Sequence, residues 1–443
     1  MKKIFMILLV ALLALASCSS DKEEADKSYT DDELLEIGEE YINALLADDF
    51  EGAYEDFNHD EDMEKAVNPE GYREIFTQLY QQTGDFKEMT GKEIAVKGDY
   101  RLASYGLVFE NQSLNANVVF NDDGSIGGLN FAPYTFESPE KLKKNEIEVT
   151  FGVEKYKLDG IITLPPSSSG PYPCVILVHG SGPSDMDESI GPNKPFKDIA
   201  EMLSNKGIAV FRYDKRTFTY GREMVEAGAI TPYEETVEDV VKAYDFLLNR
   251  SEIDSDNIYI LGHSMGGHLV PKINEHLDNP AGFIIMAGNI SPLEDLMVEQ
   301  IQYLSELDGS ISEEERQYIE EIEIEVEKIK NLDEVEDGEM VLNANKEYWQ
   351  YYRDYNVMAL AKEIDVPTLV LQGERDYQVD MEEFNMWKET VGDLDNFKFI
   401  SYPKLNHLMM PGEGTPNSEE YMVKNKVSEN VINDIYNFIM EEY

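Results

Sequence analysis

The chain has 443 residues but only two cysteines and few basic side chains. Cys18 and Cys174 stand in unrelated contexts, which excludes a disulfide framework. Cys174 begins the apolar run Cys-Val-Ile-Leu-Val, so we expect a buried structural thiol there. Lys and Arg number 37 against 89 Asp and Glu, a net charge of −52, and such a chain repels nucleic-acid phosphates. The acidic excess fits a well-solvated surface, or adaptation to a salty exterior in which counterions screen the repulsion.

The first residues have the pattern of a secretory signal peptide, which we assign to residues 1–17. Lys2 and Lys3 precede an apolar stretch over residues 4–16, which is too short for a permanent transmembrane helix. Leu15-Ala16-Ser17-Cys18 resembles the lipobox of bacterial lipoproteins. The resemblance implies cleavage before Cys18, lipid attachment to its thiol and an extracytoplasmic protein anchored to the cell membrane. An ordinary signal peptide with a chance cysteine is the alternative. Residues 18–30 are polar and predict a flexible tether.

Residues 31–133 predict a small α+β domain, with helices first and alternating strands afterwards. The pattern resembles that of nuclear-transport-factor-like domains, which often precede secreted hydrolases. His59 is the only histidine of this segment, and because acids flank it we expect a solvated surface residue. We find no catalytic constellation here. Residues 134–144 have the composition of a linker.

From residue 145 to 443, apolar runs alternate with helical stretches, which predicts a mostly parallel sheet covered by helices on both faces. We expect strands at residues 146–150, 156–164, 174–178, 208–211, 258–261, 283–286, 368–371 and 397–402. The charged helical segment at about 291–361 interrupts the alternation. It predicts an inserted cap over the site, with a solvated helical hairpin of no substrate role as the alternative.

The pentapeptide Gly262-His263-Ser264-Met265-Gly266 is the strongest motif. An apolar strand runs directly into it and a helical stretch over residues 268–277 follows it. A strand, a sharp turn and a helix are what a nucleophile elbow needs, and glycines must flank the crowded serine. Ser264 is therefore the predicted catalytic nucleophile.

A serine hydroxyl needs a base to remove its proton, and six histidines leave few candidates. His407 alone follows the last predicted strand, which fits the chain order serine, acid, histidine of this fold. The acid should follow the preceding strand, and Asp376 is the first choice in the loop after residue 373. Asp380 and Glu374 are the nearest rivals.

The loop His179-Gly-Ser-Gly-Pro183 follows another predicted strand, and its small residues let backbone amides approach a substrate. The Ser181 and Met265 amides are the predicted oxyanion hole. The P-loop lysine, the full dinucleotide fingerprint and zinc-ligand spacings are all missing, so we expect neither a metal nor an organic cofactor.

Together these features resemble the α/β-hydrolase superfamily, and the His-Gly-Ser-Gly-Pro loop resembles one branch of bacterial carboxylesterases. The resemblance implies hydrolysis of small acyl esters through an acyl-enzyme. A serine peptidase or thioesterase with the same triad is the first alternative, and a surface binding or sensor lipoprotein with a hydrolase fold is the second. Four basic residues either meet an anionic substrate group or pair with nearby acids: Lys194, Arg212, Lys215 and Arg216, with Asp185, Asp187, Glu188 and Asp214 as partners. The oligomeric state is not predicted.

Overall fold

The structure is a computed structural model that describes residues 29–97, 100–110, 113–121, 123–133, 142–166, 169–228, 230–336, 338–342 and 344–440. The chain divides into two compact units between Lys141 and Leu142. The predicted signal peptide, Cys18, all but the end of the tether and most of the linker lie outside the described residues. Among the helices described here, none combines the length and the apolar character needed to cross a membrane.

The first unit places four helices before a four-stranded antiparallel sheet in the order β1-β2-β3-β4, which is the predicted α+β arrangement. The elements are α1 (Asp31–Leu46), α2 (Phe50–Glu55), α3 (Glu61–Ala66), α4 (Pro69–Thr83), β1 (Phe86–Lys97), β2 (Tyr100–Phe109), β3 (Ser113–Asn121) and β4 (Ile126–Pro133). A capping box between Thr30 and Glu33 starts α1. The apolar stripe of α1 packs on the sheet, where Leu34, Tyr41 and Leu45 are fully buried.

The expectation for His59 was wrong, because the ring is buried rather than solvated. His59 is 8% exposed, and the Tyr72 hydroxyl lies 3.3 Å from its Nε2. Burial lowers the pKa of His59. Asp60, one of the acids next to His59 in the sequence, caps α3 by accepting the Met63 amide at 2.8 Å. A flanking acid therefore did not predict exposure of the ring.

The second unit is an eight-stranded sheet in the order β12-β11-β10-β9-β7-β8-β6-β5, in which β6 alone runs against the others. The strands are β5 (Glu146–Gly152), β6 (Lys157–Thr163), β7 (Tyr172–Val178), β8 (Ala209–Tyr213), β9 (Ile253–His263), β10 (Gly282–Met286), β11 (Thr368–Gly373) and β12 (Phe397–Tyr402). Every predicted strand of this region is present. The mixed order and the single reversed strand near one edge are those of the α/β-hydrolase fold.

Helices cover both faces of this sheet, and an apolar cluster lies under each face. They are α5 (Pro195–Ser204), α6 (Arg216–Glu226), α7 (Glu238–Leu247), α8 (Met265–His268), α9 (Val270–Asn274), α10 (Leu293–Glu306), α11 (Glu313–Lys330), α12 (Lys346–Asp354), α13 (Val357–Ala361), α14 (Met381–Val391) and α15 (Glu429–Met440). Helices α10 to α13 form the inserted cap between β10 and β11. The helix predicted after the elbow begins earlier than expected and breaks at Leu269, because Pro271 cannot continue the backbone ladder.

The sheet order explains how distant parts of the chain meet. Strands β7, β9, β10, β11 and β12 are parallel neighbours, so their carboxyl ends share one edge. The loops that follow β7, β9, β11 and β12 carry the predicted site residues to that edge.

Candidate active site

The loop after β9 is a tight turn with Ser264 at its apex. Ser264 has φ 53° and ψ −118°, a left-handed conformation that non-glycine residues rarely adopt. Its amide donates to the Met286 carbonyl at 2.9 Å, which ties the turn to β10. An added Cβ at Gly262 would lie 2.2 Å from the Gly266 oxygen, and one at Gly266 would lie 2.5 Å from the Val178 oxygen. The turn therefore has the geometry of a nucleophile elbow.

Asp376 and His407 meet at the same edge, from the loops after β11 and β12. The His407 Nδ1–H donates to Asp376 Oδ2 at 2.7 Å, and both side chains are buried. The other carboxylate oxygen of Asp376 accepts the backbone amides of Gln378 and Val379 at 2.8 and 3.0 Å. These bonds fix the carboxylate and select the imidazole tautomer whose Nε2 can accept a proton. No hydrogen bond joins that nitrogen to Ser264 among the described contacts, and such contacts are often looser without substrate.

The two rival acids have other partners. Asp380 caps α14 by accepting the Glu382 amide at 2.7 Å. Glu374 accepts a hydrogen bond from the Ser401 hydroxyl at 2.8 Å on the exposed side of the loop. Neither carboxylate contacts His407 in the described structure, so Asp376 is the acid that the fold brings to the base.

Other histidines near the sheet are held by backbone carbonyls. His179 Nε2–H donates to the Asp185 carbonyl, and His268 Nδ1–H donates to the Asn289 carbonyl, both at 3.0 Å. Burial lowers the pKa of each ring to about 4, so both are neutral near pH 7. The His407 ring, in contrast, is bonded to the Asp376 carboxylate.

The loop after β7 lies against the elbow. A Cβ built on Gly180 would be 3.1 Å from Ser264 Cβ and 3.6 Å from Ser264 Oγ. The Gly180 amide is not available to a substrate, because it donates to Glu188 Oε1 at 2.8 Å. The predicted oxyanion donors, the amides of Ser181 and Met265, donate to no other group within the described ranges. These two backbone donors are therefore unbonded in residues next to Gly180 and Ser264, as the predicted oxyanion hole requires.

Comparison with known proteins agrees with this geometry. Residues 171–414 match the family described as serine aminopeptidase, S33, and residues 38–129 match DUF3887, a family of unknown function. Esterase EstD of Thermotoga maritima is 35% identical over 410 residues, which cover 90% of this chain and 94% of EstD.

Two solved structures are more distant. Est1E from Butyrivibrio proteoclasticus is 17% identical with a TM-score of 0.44, covering 66% of this chain and 99% of Est1E. The Pyrococcus furiosus esterase Pf2001 is 17% identical with a TM-score of 0.45, covering 69% of this chain and 94% of the esterase.

The chain belongs to the S33 family. The matched segment covers more than half of the chain and spans β7, the elbow, the cap, Asp376 and His407. The alignment with EstD covers 90% of this chain, so it includes the α+β unit as well.

A buried ion pair in this S33-family chain lies directly behind the elbow, and sequence reasoning missed it. His263 Nδ1 lies 2.9 Å from Glu188 Oε2, and His263 Nε2–H donates to the His407 carbonyl at 3.0 Å. Burial by itself would lower the pKa of His263, but the charge of Glu188 outweighs burial and the pKa is raised. Burial by itself would raise the pKa of Glu188, but His263 outweighs it and the pKa is lowered. The pair links the loop after β7, through the Gly180 amide, to the backbone of His407. One indication of this pair was present in the sequence, since His263 lies inside the elbow motif next to Ser264.

The four basic residues considered for a substrate anion are all engaged in ion pairs. Arg212 contacts Glu146 and Asp187, and Lys194 lies 3.7 Å from the same aspartate. Three further pairs were not expected: Lys215 with Glu235, Arg216 with Asp239, and Arg216 with Glu238. The ion-pair interpretation is therefore correct for these residues, although only Asp187 was among the predicted partners. Cys174 is a buried free thiol, and burial raises its pKa.

Helix α12 of the cap and the residue that ends it contact the elbow helix. The Tyr348 hydroxyl of α12 lies 3.8 Å from Met265 Sδ. The Tyr355 hydroxyl donates to the His268 carbonyl at 2.6 Å. Both contacts reach the short helix that begins at the elbow.

We predict that Gly262→Ala disrupts the elbow, because its methyl group would overlap the Gly266 carbonyl. Overpacking of this kind costs about 1–3 kcal/mol or more, so thermal melting should show a lower Tm. Labelling of Ser264 by a fluorophosphonate probe should be lost. Gly221→Ala is the matched control, since a Cβ there meets no atom within 4 Å and alanine favours the helix. Wild-type labelling of Gly262→Ala would contradict the prediction.

We predict that Glu188→Gln destabilises the protein more at pH 6 than at pH 9. His263 has a raised pKa, so its contribution is complete below its ordinary value of 6.5 and is lost as the pH rises through the folded-state pKa. Glu188 has a lowered pKa, so its contribution is present above 4.5 and is lost as the pH falls through its folded-state pKa. Breaking a buried pair costs about 3–5 kcal/mol where both partners are charged.

Urea unfolding at both pH values measures the difference in free energy of unfolding. Glu320→Gln, on the exposed face of α11, is the control and should change little at either pH. An equal cost of Glu188→Gln at pH 6 and pH 9 would show that the pair is not ionised.

Proposed function

We propose that this chain is a serine carboxylesterase that hydrolyses small acyl esters through an acyl-enzyme at Ser264. The observation that carries the proposal is the convergence of the Ser264 elbow, the Asp376–His407 pair and two open amides at one sheet edge. The 35% identity to an esterase, EstD, across both units supports ester as the substrate class.

The proposed reaction uses only groups of this chain and water. His407 Nε2 takes the hydroxyl proton of Ser264 as the oxygen attacks the ester carbonyl, while Asp376 stabilises the imidazolium. The carbonyl oxygen becomes an oxyanion that accepts from the Ser181 and Met265 amides. His407 then donates its proton to the leaving alcohol, and the acyl group stays on Ser264. Water, deprotonated by His407, attacks the acyl-enzyme and releases the acid.

Peptide hydrolysis is the second candidate, because the family that matches residues 171–414 is described as serine aminopeptidase. The same triad and oxyanion hole serve esters, thioesters and amides, so these residues do not choose among leaving groups. A thioesterase with the same triad is the further alternative. The choice lies with the groups that the cap presents to the substrate.

We also propose that the enzyme is a lipoprotein held at the outer side of the cell membrane through Cys18. The basic start, the apolar stretch and the lipobox-like sequence support this location. Two or more acyl chains give stable anchoring, since each buried methylene contributes about 0.8 kcal/mol.

We predict that the purified protein hydrolyses p-nitrophenyl esters and that Ser264→Ala abolishes both this activity and fluorophosphonate labelling. A series of p-nitrophenyl esters of increasing acyl length, beside aminoacyl anilides and acyl thioesters, measures the preferred class as kcat/KM. Higher kcat/KM for the anilides would favour the peptidase. An unlabelled, inactive wild type would instead favour a binding lipoprotein.

The same assay tests the acid. Asp376→Asn should lower kcat by about 10⁴-fold, because the amide holds the imidazole in the wrong tautomer. Glu374→Gln, in the same loop but bonded to Ser401, is the matched control and should keep wild-type kcat. A similar loss in both variants would remove Asp376 from the mechanism.

We predict that the wild type made in its native cell is found in the membrane fraction, and that Cys18→Ser is not. The serine variant cannot form the thioether, so the mature chain loses its acyl anchor. Fractionation followed by activity assay measures the distribution, and Cys174→Ser controls for loss of a thiol elsewhere. A Cys18→Ser protein that stays in the membrane fraction would contradict lipidation.

A further inference from the structure

Lys215 is buried beneath the oxyanion loop and its ammonium group is fully engaged. The side chain is 2% exposed, although lysine is rarely buried without a partner. Its Nζ donates to the carbonyls of Gly180 and Gly182 at 2.7 and 3.0 Å, and to Glu235 Oε1 at 2.6 Å. A neutral amine has two hydrogens and an ammonium has three, so three acceptors fit the charged form. The Lys215 amide also donates to the Ser184 carbonyl at 3.0 Å.

The position of this charge matters because one peptide group connects it to the substrate side of the loop. The Gly180 carbonyl and the Ser181 N–H belong to the same planar trans peptide and point in opposite directions. An ammonium bound to that oxygen therefore aims the Ser181 N–H away from itself, and it draws electron density from the nitrogen. On the preceding peptide, Glu188 accepts the Gly180 N–H at 2.8 Å. Opposite charges thus hold Gly180 at its amide and at its carbonyl.

The cap takes part in the same network. Glu235 is buried, and its second oxygen accepts the Tyr348 hydroxyl at 2.8 Å. Tyr348 belongs to α12 of the insertion, and its hydroxyl also lies against Met265 Sδ. Tyr348 therefore contacts Met265, whose amide is one predicted oxyanion donor. It also contacts Glu235, which binds Lys215 beneath the other predicted donor, the Ser181 amide.

We propose that Lys215 is a positioning residue that aims and polarises the Ser181 amide, and that Tyr348 of the cap keeps it in place through Glu235. The inference rests on the proposed function, since it concerns stabilisation of an oxyanion formed at Ser264. It gives the cap a role in the rate of the chemical step as well as in covering the substrate.

The test compares Lys215→Met with wild type on p-nitrophenyl acetate and its O-p-nitrophenyl thionoacetate analogue. Sulfur is a weak hydrogen-bond acceptor, so the thionoester gains little from the amide in either protein. Loss of one oxyanion donor costs about 10²–10³ in kcat, and a weakened donor should cost about 10–100-fold for the oxygen ester. We expect a change in KM and in thionoester kcat of less than about threefold, because neither depends strongly on this donor.

Tyr348→Phe tests the cap connection while keeping the aromatic ring. It should lower kcat for the oxygen ester selectively, by about 3–10-fold, since Glu235 loses one of its two partners. Tyr351→Phe is the matched control on the same helix, because the Tyr351 hydroxyl has no partner in the described structure, and it should keep wild-type kcat. If Lys215→Met does not fold, a selective loss in Tyr348→Phe supports the network, and rates equal to those of Tyr351→Phe overturn it.

Equal losses on both esters in folded Lys215→Met would indicate a general structural defect and overturn the proposal, as would no loss. A wild type without esterase activity would refute the proposed function instead. In that case amide hydrogen exchange over residues 179–182 measures how firmly the loop is held. Faster exchange at Gly180 in Lys215→Met supports the role of Lys215, and unchanged exchange overturns it.

Discussion

The close approach of Gly266 to the end of β7 is the contact on which the site depends. A Cβ at this position would lie 2.5 Å from the Val178 oxygen and 2.7 Å from the His179 oxygen, so the first turn of α8 rests directly on the backbone of the neighbouring strand. This contact brings the elbow against the loop after β7, where a Cβ at Gly180 would lie 3.1 Å from Ser264 Cβ. The parallel order of the strands then brings Asp376 and His407 to the same edge, so no member of the proposed triad has to reach across the sheet.

Buried ion pairs near this edge connect segments that are distant in the sequence. In a chain with 37 basic and 89 acidic residues, three of the basic ones, Arg212, Lys215 and Arg216, are nearly inaccessible to solvent. Desolvation of each charge offsets the attraction, so buried ion pairs add little to the net free energy of unfolding. Their contribution here is to connect particular segments of the chain. Arg212 links the start of β5 to the loop after β7, and Lys215 links that loop to the turn before α7. A few of the acidic residues therefore form buried ion pairs that connect segments, whereas others are solvated at the surface.

Much of the candidate site could be predicted from the sequence, because its residues directly follow apolar strands whose carboxyl ends meet at one edge. The turn at Ser264 follows from glycines that tolerate no side chain, and His407 and Asp376 follow from the last two strands. The supporting pairs could not be predicted. Glu188 and Glu235 are two of 89 acids, and nothing in local spacing distinguishes them from solvated ones. In the first unit, β1, α2 and α3 were not predicted, since their apolar residues are too few or too irregular to show a period.

The two proposed oxyanion donors are positioned by different means, and the buried charges lie beside only one of them. The Met265 amide takes its direction from the elbow, where the His268 and Leu269 amides close the first helical turn on Ser264 and Met265 at 2.9 and 3.0 Å. The Ser181 amide has no such support, because its loop has glycine on both sides. Those glycines are needed, since a Cβ at Gly180 would crowd Ser264, but they leave the backbone with more conformations to choose from. Glu188 and Lys215 restrict that choice at the peptide groups beside Ser181. The loop needs small residues to approach the substrate, so its own side chains cannot fix its backbone. Glu188 and Lys215, which lie outside residues 179–183, bind its peptide groups instead.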